Sequence, residues 1–204
     1  MNEIRISAET LRDALTGAGV ATSKDKTLPA FTCVKVTPTP SGIEFAGTNR
    51  FMLVAGEVRP DGDVSTWQEF NTLLDADTVK RFIAALKDAL KSHRHGLIVK
   101  LVLEYNTITL TGLGNGASVS SGVAYGEFPR YGSLFPDTFS EIESIYLNPE
   151  LFARVAKIPT TRTRLGDLPQ IEFKFAGSVK PVTVVVPHDT IEWRVIIMPV
   201  RKQQ

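Results

Sequence analysis

Gly-Glu-Phe-Pro-Arg-Tyr-Gly-Ser-Leu-Phe-Pro, residues 126–136, is the stretch that divides the chain into recognisable parts. It holds two prolines and two glycines, and proline fixes φ and lacks the N–H that a helix interior or a strand ladder requires. We therefore predict a linker here. Its three aromatic side chains and Leu134 are too many for a solvated loop, so we expect the linker to be held against an apolar surface.

The rest of the chain repeats one pattern, a short strand followed by an amphipathic helix and three strands. Copies of this unit occupy residues 1–59, 66–128 and 144–201. The strongest helix begins at an N-cap, Asp75 or Asp77, and has one continuous apolar stripe. This stripe consists of Val79, Phe82, Ile83, Leu86 and Leu90.

The third unit shows the same helix signals. Asn148 and Pro149 suit the N-cap and the first helical position, and the apolar face that follows is Leu151, Val155 and Ile158. The first helix is predicted over residues 7–18. The predicted strands are 4–6, 31–36, 42–47, 51–58, 67–74, 97–105, 107–113, 117–125, 144–147, 170–175, 181–187 and 191–200.

Each unit has one amphipathic helix and one half-apolar sheet face that must be covered. We therefore predict an α+β fold of repeated helix-on-sheet half-domain units, three per chain, with antiparallel sheets outside and the helices on one face. Two units form a domain over residues 1–136. The third unit, 137–204, completes a domain with another chain or packs on the first, because an unpaired unit exposes an apolar face and a strand edge.

The composition is typical of a soluble globular protein. Lys and Arg number 23 against 22 Asp and Glu, and 43% of the residues are hydrophobic, so any charge that attracts nucleic acid has to be local. The single cysteine, Cys33, lies in an apolar run and is predicted to be a small core residue in a reducing compartment. Without a signal peptide or an apolar run of ~18 to 20 residues, the expected location is the cytoplasm.

Three short motifs, in the same order along the chain, carry a resemblance to a known family. Gly-Thr-Asn-Arg-Phe-Met-Leu, residues 47–53, resembles the Thr-Asp-x-x-Arg-Leu segment of the bacterial DNA polymerase III beta subunit, the replicative sliding clamp. Residues 126–136 resemble the linker between the second and third domains of that protein. Val195–Arg201 resembles its carboxyl-terminal Tyr-Val-Val-Met-Pro-Met-Arg-Leu. The likeness covers nearly the whole chain, as one full clamp domain and half of another.

The resemblance implies a DNA-clamp-like fold and a short, phage-like processivity factor without enzymatic activity, cofactor or metal. Such a protein encircles duplex DNA as a homo-oligomeric ring and tethers DNA polymerase or other clamp-binding proteins through linear peptide motifs. A clamp loader is a further expected partner. Family rings line their hole with twelve helices, so three helices per chain imply a tetramer, and a dimer is the alternative. Asn49 replaces the Asp of the family, and Lys202–Gln204 replace its terminal Leu.

The charge that would contact DNA lies on the second and third helical regions. Residues 77–95 carry five Lys and Arg against two Asp, and residues 149–164 carry four against one Glu. A clamp needs such cations on hole-facing helix surfaces to attract phosphates without reading bases. The alternative is that they only solvate outward helix faces. The predicted DNA-binding residues are Lys80, Arg81, Lys87, Lys91, Arg94, Arg154, Lys157, Arg162 and Arg164.

The resemblance also implies a groove for the peptide motifs of partner proteins. Aliphatic and methionine side chains in such a groove bury two or three apolar anchors of an extended peptide. The alternative is that Leu53, Leu134 and Ile196 are core residues beside a linker. The predicted groove residues are Thr48, Arg50, Phe51, Leu53, Pro129, Leu134, Ile196, Met198, Pro199, Val200 and Arg201.

Catalytic and metal-binding interpretations find little support in the sequence. His93-x-His95 has no cysteine or carboxylate cluster with ligand spacing, and His188-Asp189 has no Gly-x-Ser-x-Gly motif beside it. Two alternatives to a ring remain open. One is a clamp-derived adaptor or regulator that binds a replication protein without forming a ring, and the other is a small hydrolase on an unrelated α+β fold.

Overall fold

The computed structural model describes residues 2–62, 70–93, 96–114, 116–161 and 170–201. The helices are α1 (Ala8–Ala21), α2 (Ala76–Ser92) and α3 (Pro149–Val155). The strands are β1 (Asn2–Ser7), β2 (Val34–Pro38), β3 (Ile43–Thr48), β4 (Met52–Val58), β5 (Thr72–Leu74), β6 (Ile98–Glu104), β7 (Thr107–Thr111), β8 (Val119–Gly122), β9 (Glu172–Lys174), β10 (Val182–Val185) and β11 (Ile191–Ile197). Among the described residues, no helix combines the length and apolar character needed to cross a bilayer.

The first two units exchange their leading strands. One antiparallel sheet has the order β1-β6-β7-β8, and the other has the order β5-β2-β3-β4-β11-β10-β9. The leading strand of the first unit, β1, therefore pairs with β6 of the second, while β5 of the second unit pairs with β2 of the first. This reciprocal pairing joins the two units, and the predicted α+β architecture of helices on antiparallel sheets is confirmed.

Helix α2 buries the apolar stripe that its sequence predicts. Phe82 and Leu86 are fully buried and Val79 nearly so, which secures the helix, because tertiary packing of an apolar face is the main source of helix stability in proteins. Asp75, rather than Asp77, is the N-cap, and its carboxylate accepts the N–H of Thr78 at 2.7 Å.

Helix α3 begins as its sequence predicts. The side chain of Asn148 accepts the N–H of Glu150 at 2.9 Å, and Pro149 occupies the first turn. Its apolar face, Leu151 and Val155, is buried together with Ile158. The helix spans only seven residues, so its position depends on this packing and not on its own stability.

The third unit is joined to the first through β11, which pairs with β4 from Ile191 opposite Val58 to Ile197 opposite Met52. Trp193, on the helix-facing side of β11, is 5% exposed and donates its indole N–H to the carbonyl oxygen of Pro159 at 3.1 Å. Glycines in α1 and β4 make room for the ring, because a Cβ at Gly17 or Gly56 would overlap it.

Two predicted strands differ from the structure. Residues 29–32, which include the start of the predicted strand 31–36, form a 3₁₀ helix with a proline in its first turn, and β2 begins only at Val34. Residues 144–147 form no strand. The first two units place their leading strands in each other's sheets, whereas residues 144–147 pair with neither sheet. The start of predicted strand 67–74 lies outside the described residues.

The Trp193 contact predicts opposite effects of alanine at two glycines of α1. We expect Gly17→Ala to lower the free energy of unfolding by about 1–3 kcal/mol, because the new methyl group overpacks the indole ring. At Gly19 a Cβ would lie 3.9 Å from Cγ1 of Val79, an ordinary contact, so Gly19→Ala should be neutral or stabilising by up to about 1 kcal/mol. Urea denaturation followed by circular dichroism measures both, and equal midpoints for the two variants would contradict the packing.

Candidate functional site

The predicted cations of α2 divide between two faces of the helix. Lys80, Lys87 and Lys91 are spaced i, i+7 and i+11, so at about 100° per residue they form one stripe, and all three are exposed. Lys80 and Lys91 form ion pairs with Asp77 and Asp88 at 3.6 and 2.8 Å, but such exposed pairs are weak. Lys87 has no ion pair among the described residues.

Arg81 lies on a different side of α2 from this stripe and secures the helix to a strand. Its guanidinium donates to the carbonyl oxygen of Ser120 in β8 at 2.9 Å. One turn earlier, the hydroxyl of Thr78 is hydrogen-bonded to that of Ser121 at 2.6 Å. Arg81 therefore has a structural contact that the three lysines of the stripe lack. Three other predicted DNA-binding residues lie outside the described part of the chain, namely Arg94, Arg162 and Arg164.

The remaining predicted cations lie at the end of α3 and in the turn that follows it. Arg154 donates from Nη1 to the carbonyl oxygen of Val20, near the end of α1, at 3.3 Å, and thereby satisfies a carbonyl at a helix end. Lys157 is exposed, and the described residues include no ion-pair partner for it.

A cavity of about 980 Å³ lies where the ends of α1, α2 and α3 meet. Lys80, Arg154 and Lys157 line it, so the structure brings together predicted cations from both helical regions. Lys24 and Lys26, from the loop after α1, line the same cavity. The sequence showed these two lysines, but only the fold places them beside α2 and α3. With three carboxylates also in the walls, from Asp75, Asp77 and Glu150, the lining has more positive than negative groups.

The first segment of the predicted peptide groove is the turn between β3 and β4. The buried hydroxyl of Thr48 donates to the carbonyl oxygen of Met52 at 2.8 Å and accepts the N–H of Arg50 at 3.1 Å. The side-chain oxygen of Asn49 accepts the N–H groups of Phe51 and Met52 at 3.0 and 2.8 Å. A carboxylate oxygen makes the same contacts, so asparagine at this position is compatible with the turn.

The pairing of β4 with β11 brings the first and last groove segments together. Leu53 lies opposite Ile196, and the N–H of Met198 donates to the carbonyl oxygen of Phe51 at 2.8 Å. Leu53 and Ile196 are each 2% exposed, whereas Phe51 is 56% exposed. The exposed aromatic ring of Phe51 therefore lies next to strands whose side chains Leu53 and Ile196 are buried.

The other predicted groove residues lie in the linker and after β11. Leu134 and Val200 expose 43% and 45% of their surface, while Pro129, Met198 and Pro199 are half-buried and Arg201 is exposed. The N–H of Val200 donates to the carbonyl oxygen of Tyr146 at 2.8 Å. This bond fixes the segment after β11 to the start of the third unit.

Comparison with known proteins identifies the architecture. No protein-family profile matches the sequence. Over 130 residues, the chain is 34% identical to the beta sliding clamp of Micrococcus luteus, covering 62% of this chain and 38% of that protein. The DNA polymerase III beta subunit of Thermotoga maritima superposes with a TM-score of 0.79 at 15% identity, over 100% of this chain and 66% of that one. The beta subunit of Caulobacter crescentus gives a TM-score of 0.75 at 16% identity, over 99% and 66%.

The chain has the sliding-clamp fold. The resemblance predicted from the three motifs is thereby confirmed. The chain spans just under two thirds of the length of these solved clamps, and its aligned part covers 38% of the M. luteus clamp. The part of the fold that it spans contains three helix-on-sheet units.

In this clamp fold the linker 126–136 is fixed to the outer face of the larger sheet by four residues, which we call the Glu44 cluster. Glu44 of β3 is 5% exposed, and its carboxylate accepts hydrogen bonds from the hydroxyl of Tyr131 and the guanidinium of Arg194. The ring of Phe135 lies 5.0 Å from the guanidinium carbon of Arg194. Linker, first unit and third unit thus meet at one buried carboxylate.

An apolar cluster beside the Glu44 cluster holds the start of the linker. Phe128 is 8% exposed and packs with Cys33, Ala46, Ala55 and Leu73. The prediction that the linker is held against an apolar surface is therefore confirmed. Cys33 is the small core residue that its sequence predicts, and burial raises the pKa of its thiol.

The environment of Tyr131 keeps its hydroxyl protonated. Burial, and then the adjacent carboxylate of Glu44, raise the pKa of Tyr131 well above its usual value. The tyrosine therefore acts only as a hydrogen-bond donor to Glu44 at any physiological pH, and it holds the linker without being a proton-transfer group. Glu44 and Arg194 are not among the residues predicted from the sequence to form a site. The only signal of this cluster in the sequence was a charged residue within each of two apolar strands, Glu44 and Arg194.

One arrangement in the described residues resembles a catalytic triad, but its geometry is that of a turn. Nε2 of His188 lies 3.5 Å from Oδ2 of Asp13, and its Nδ1 lies 3.5 Å from Oγ1 of Thr190. However, Nδ1 already accepts the backbone N–H of Thr190 at 3.2 Å, so it is not available as a base for the hydroxyl. His188 instead connects the turn before β11 to α1. The described residues contain no group of three or more potential metal ligands.

The Glu44 cluster predicts that one hydroxyl stabilises the linker. We expect Tyr131→Phe to lower the free energy of unfolding by about 1–3 kcal/mol, because it removes a hydrogen bond to a buried charged group. It should also speed proteolysis within residues 126–136. Tyr125→Phe is the matched control, since Tyr125 is 72% exposed and its loss of a hydroxyl should change neither quantity. Identical urea midpoints and digestion rates for both variants would contradict the assignment.

Proposed function

We propose that this protein is a non-enzymatic sliding clamp of the cytoplasm, which encircles duplex DNA as a ring of several copies and tethers a DNA polymerase or other replication proteins. The observation that supports it best is the full-length superposition on bacterial clamps, with a TM-score of 0.79. The convergence of cations from α2, α3 and the loop after α1 is what such a role requires.

The DNA-facing surface in this proposal consists of exposed lysines that, among the described residues, have either no ion pair or one weak pair within their own helix. Lys80, Lys87 and Lys91 form the stripe on α2, and Lys157 lies beside them at the shared cavity. A clamp that slides must contact phosphates without reading bases, so flexible, exposed lysines suit it. Arg81 and Arg154 contribute positive charge while their guanidinium groups also bind backbone carbonyl oxygens.

This surface predicts a loss of DNA binding on charge reversal. The triple variant Lys87→Glu, Lys91→Glu, Lys157→Glu should bind duplex DNA at least about tenfold more weakly, with a salt-dependence slope shallower by about 0.9 per lost contact. The matched control reverses three exposed cations away from the helices, Arg59, Arg130 and Lys180, and so has the same net charge. Fluorescence anisotropy with a labelled duplex measures both. If both triple variants lost the same DNA affinity, the effect would come from net charge alone. The assignment of the DNA-facing surface would then be wrong.

The proposed ring is supported by exposed apolar side chains of the third unit. Its side chains Phe139, Tyr146 and Phe152 expose 48%, 44% and 50% of their surface. Strand β8 lies at one end of the smaller sheet, with β1 at the other, and β9 lies at one end of the larger sheet, with β5 at the other. The strands β8 and β9 belong to different units. A second copy that added its β8 edge to the β9 edge of the first would cover the third unit head to tail, and repetition of that contact closes a ring.

The mass in solution tests the ring and separates it from the adaptor. Multi-angle light scattering should give several copies per particle, with a tetramer matching twelve helices at three per chain. A ring should also remain on closed circular DNA at high salt and leave when the DNA is linearised. A monomer at every concentration tested would favour the non-ring adaptor that binds a replication protein.

The partner site in this proposal is the groove beside β4 and β11. Phe51, Leu134 and Val200 supply exposed apolar surface, and the neighbouring Leu53 and Ile196 form its buried base. An extended peptide with alternating apolar side chains is the occupant that such a surface fits, because one side of an extended chain presents every second residue.

The groove predicts a specific effect of truncating its exposed ring. Phe51→Ala should weaken binding of a fluorescein-labelled hexapeptide with Leu and Phe at alternating positions by about tenfold, the cost typical of an interface anchor. Val179→Ala is the control, since Val179 is 79% exposed in a turn of the third unit. Fluorescence polarisation gives both affinities. If the Phe51 variant bound the peptide with unchanged affinity, the proposed peptide site would be wrong. The proposed DNA-facing surface would not be affected by that result.

A further inference from the structure

We propose that the cleft between α1 and α2 binds small anionic molecules with an apolar body, at a site that adjoins the proposed DNA-facing surface and shares Lys80 and Lys157 with it. The cleft has a volume of about 360 Å³ and opens beside the larger cavity at the helix ends. Its apolar walls come from α1, α2 and β2, and its charged residues come from α2 and the turn after α3.

The walls of the cleft are mainly aliphatic. Leu15 and Val20 come from α1, Val79 and Ile83 from α2, and Val34 from β2. A volume of about 360 Å³ is at the lower end of the ~300 to 1,000 Å³ typical of small-molecule sites. The lining also includes Thr16, Thr22 and Thr32, whose hydroxyl groups donate to backbone carbonyl oxygens three or four residues earlier. The cleft therefore suits the apolar body of a ligand.

The charged part of the proposed site lies at the larger cavity, because the cleft and this cavity have lining residues in common. Gly19, Val20 and Ala76 line both, and so do the side chains of Lys80 and Lys157. A molecule whose body lies between α1 and α2 would therefore place a polar end among the cations of the larger cavity.

The lining of the larger cavity has a net positive charge. Its cations are Lys24, Lys26, Lys80, Arg154 and Lys157, against the carboxylates of Asp75, Asp77 and Glu150. Within the described residues, Lys24, Lys26 and Lys157 form no ion pair, whereas Asp77 is paired with Lys80. The excess of positive groups at the mouth of the cleft favours an anionic head group.

A single phosphate, carboxylate or sulfonate attached to a compact apolar group is the chemistry that this site recognises. Nucleoside monophosphates and medium-chain fatty acids are two sources of such an anion. The first carries a phosphate on a nucleoside whose base has apolar faces, and the second carries a carboxylate on an alkyl chain. Inorganic phosphate has the head group alone and should bind far more weakly, since most of the enclosed surface is apolar.

Gly19 allows the cleft to be closed without a change of charge. A Cβ at this position points toward Val79 across the cleft, at 3.9 Å from its Cγ1, so a leucine side chain would fill the space. Gly19→Ala adds only the methyl group and is the matched control. Ile83→Trp fills the cleft from α2 and gives a second route to the same result if the leucine variant is unstable.

The probe is 1-anilinonaphthalene-8-sulfonate, whose fluorescence rises in apolar surroundings. We expect Gly19→Leu and Ile83→Trp to weaken its binding by about tenfold or more, and Lys157→Glu to weaken it severalfold through the lost head-group charge. Gly19→Ala, which adds only one methyl group to the cleft, should weaken probe binding far less than Gly19→Leu. Lys180→Glu, which reverses an exposed charge away from the cleft, should bind the probe as the unmodified protein does. Circular dichroism confirms that each variant is folded.

Competition identifies the class of ligand. Displacement of the probe by decanoate points to an acyl body, displacement by deoxyadenosine monophosphate to a nucleotide, and both outcomes support the site. Equal probe binding by all folded variants, or displacement by inorganic phosphate as effective as by either amphiphile, would overturn it. Because Gly19→Leu leaves every cation in place, its duplex DNA binding should be unchanged, so failure of this site and failure of the proposed clamp function give different results.

Discussion

The pairing of β11 with β4 is the contact on which the remaining structure depends. It extends over seven residue pairs and makes the third unit a continuation of the sheet of the first. Trp193 can occupy its place only because Gly17 and Gly56 leave room for it. On the other face of the same strands, Arg194 reaches Glu44, and so the linker is fixed by the same pairing. Groove, linker and helix layer are therefore all positioned by one strand contact between distant parts of the sequence.

The exchange of leading strands joins the first two units but does not include the third. Units one and two each supply a strand to the other, through β1 with β6 and β2 with β5. Residues 144–147 occupy the corresponding place in the third unit but form no strand, and neither of the two sheets pairs with them. The apolar side chains around this segment remain exposed, which is a physical reason for assembly that does not depend on any comparison with other proteins.

Local signals in the sequence predicted the helices and strands. The contacts between distant parts of the chain could be identified only from the structure. The stripe from Val79 to Leu90 and the cap at Asn148 are set by neighbours within a few residues, and the structure has both. The strand predicted at residues 31–36 failed at its start because Pro29 initiates a 3₁₀ helix, a case in which local turn chemistry overrides β-branched and aromatic content. The Glu44 cluster joins residues up to 150 positions apart, and no periodicity connects such positions. The resemblance of motifs identified the clamp fold. It did not indicate that the hydroxyl of Thr48 donates to the carbonyl oxygen of Met52 within the turn between β3 and β4.

The distribution of cations connects the proposed DNA contact to the proposed assembly. A charge count treats Arg81 and Arg154 like the lysines, but their guanidinium groups are bound to backbone carbonyl oxygens. Within the described residues of the two helical regions, Lys87 and Lys157 are the predicted lysines that form no ion pair, and each phosphate contact adds about 0.9 to the salt-dependence slope. With so few contacts, one copy alone would hold duplex DNA weakly at physiological salt. A closed ring would multiply these contacts around one duplex and prevent escape by its topology, so the proposed contacts and the proposed ring support each other.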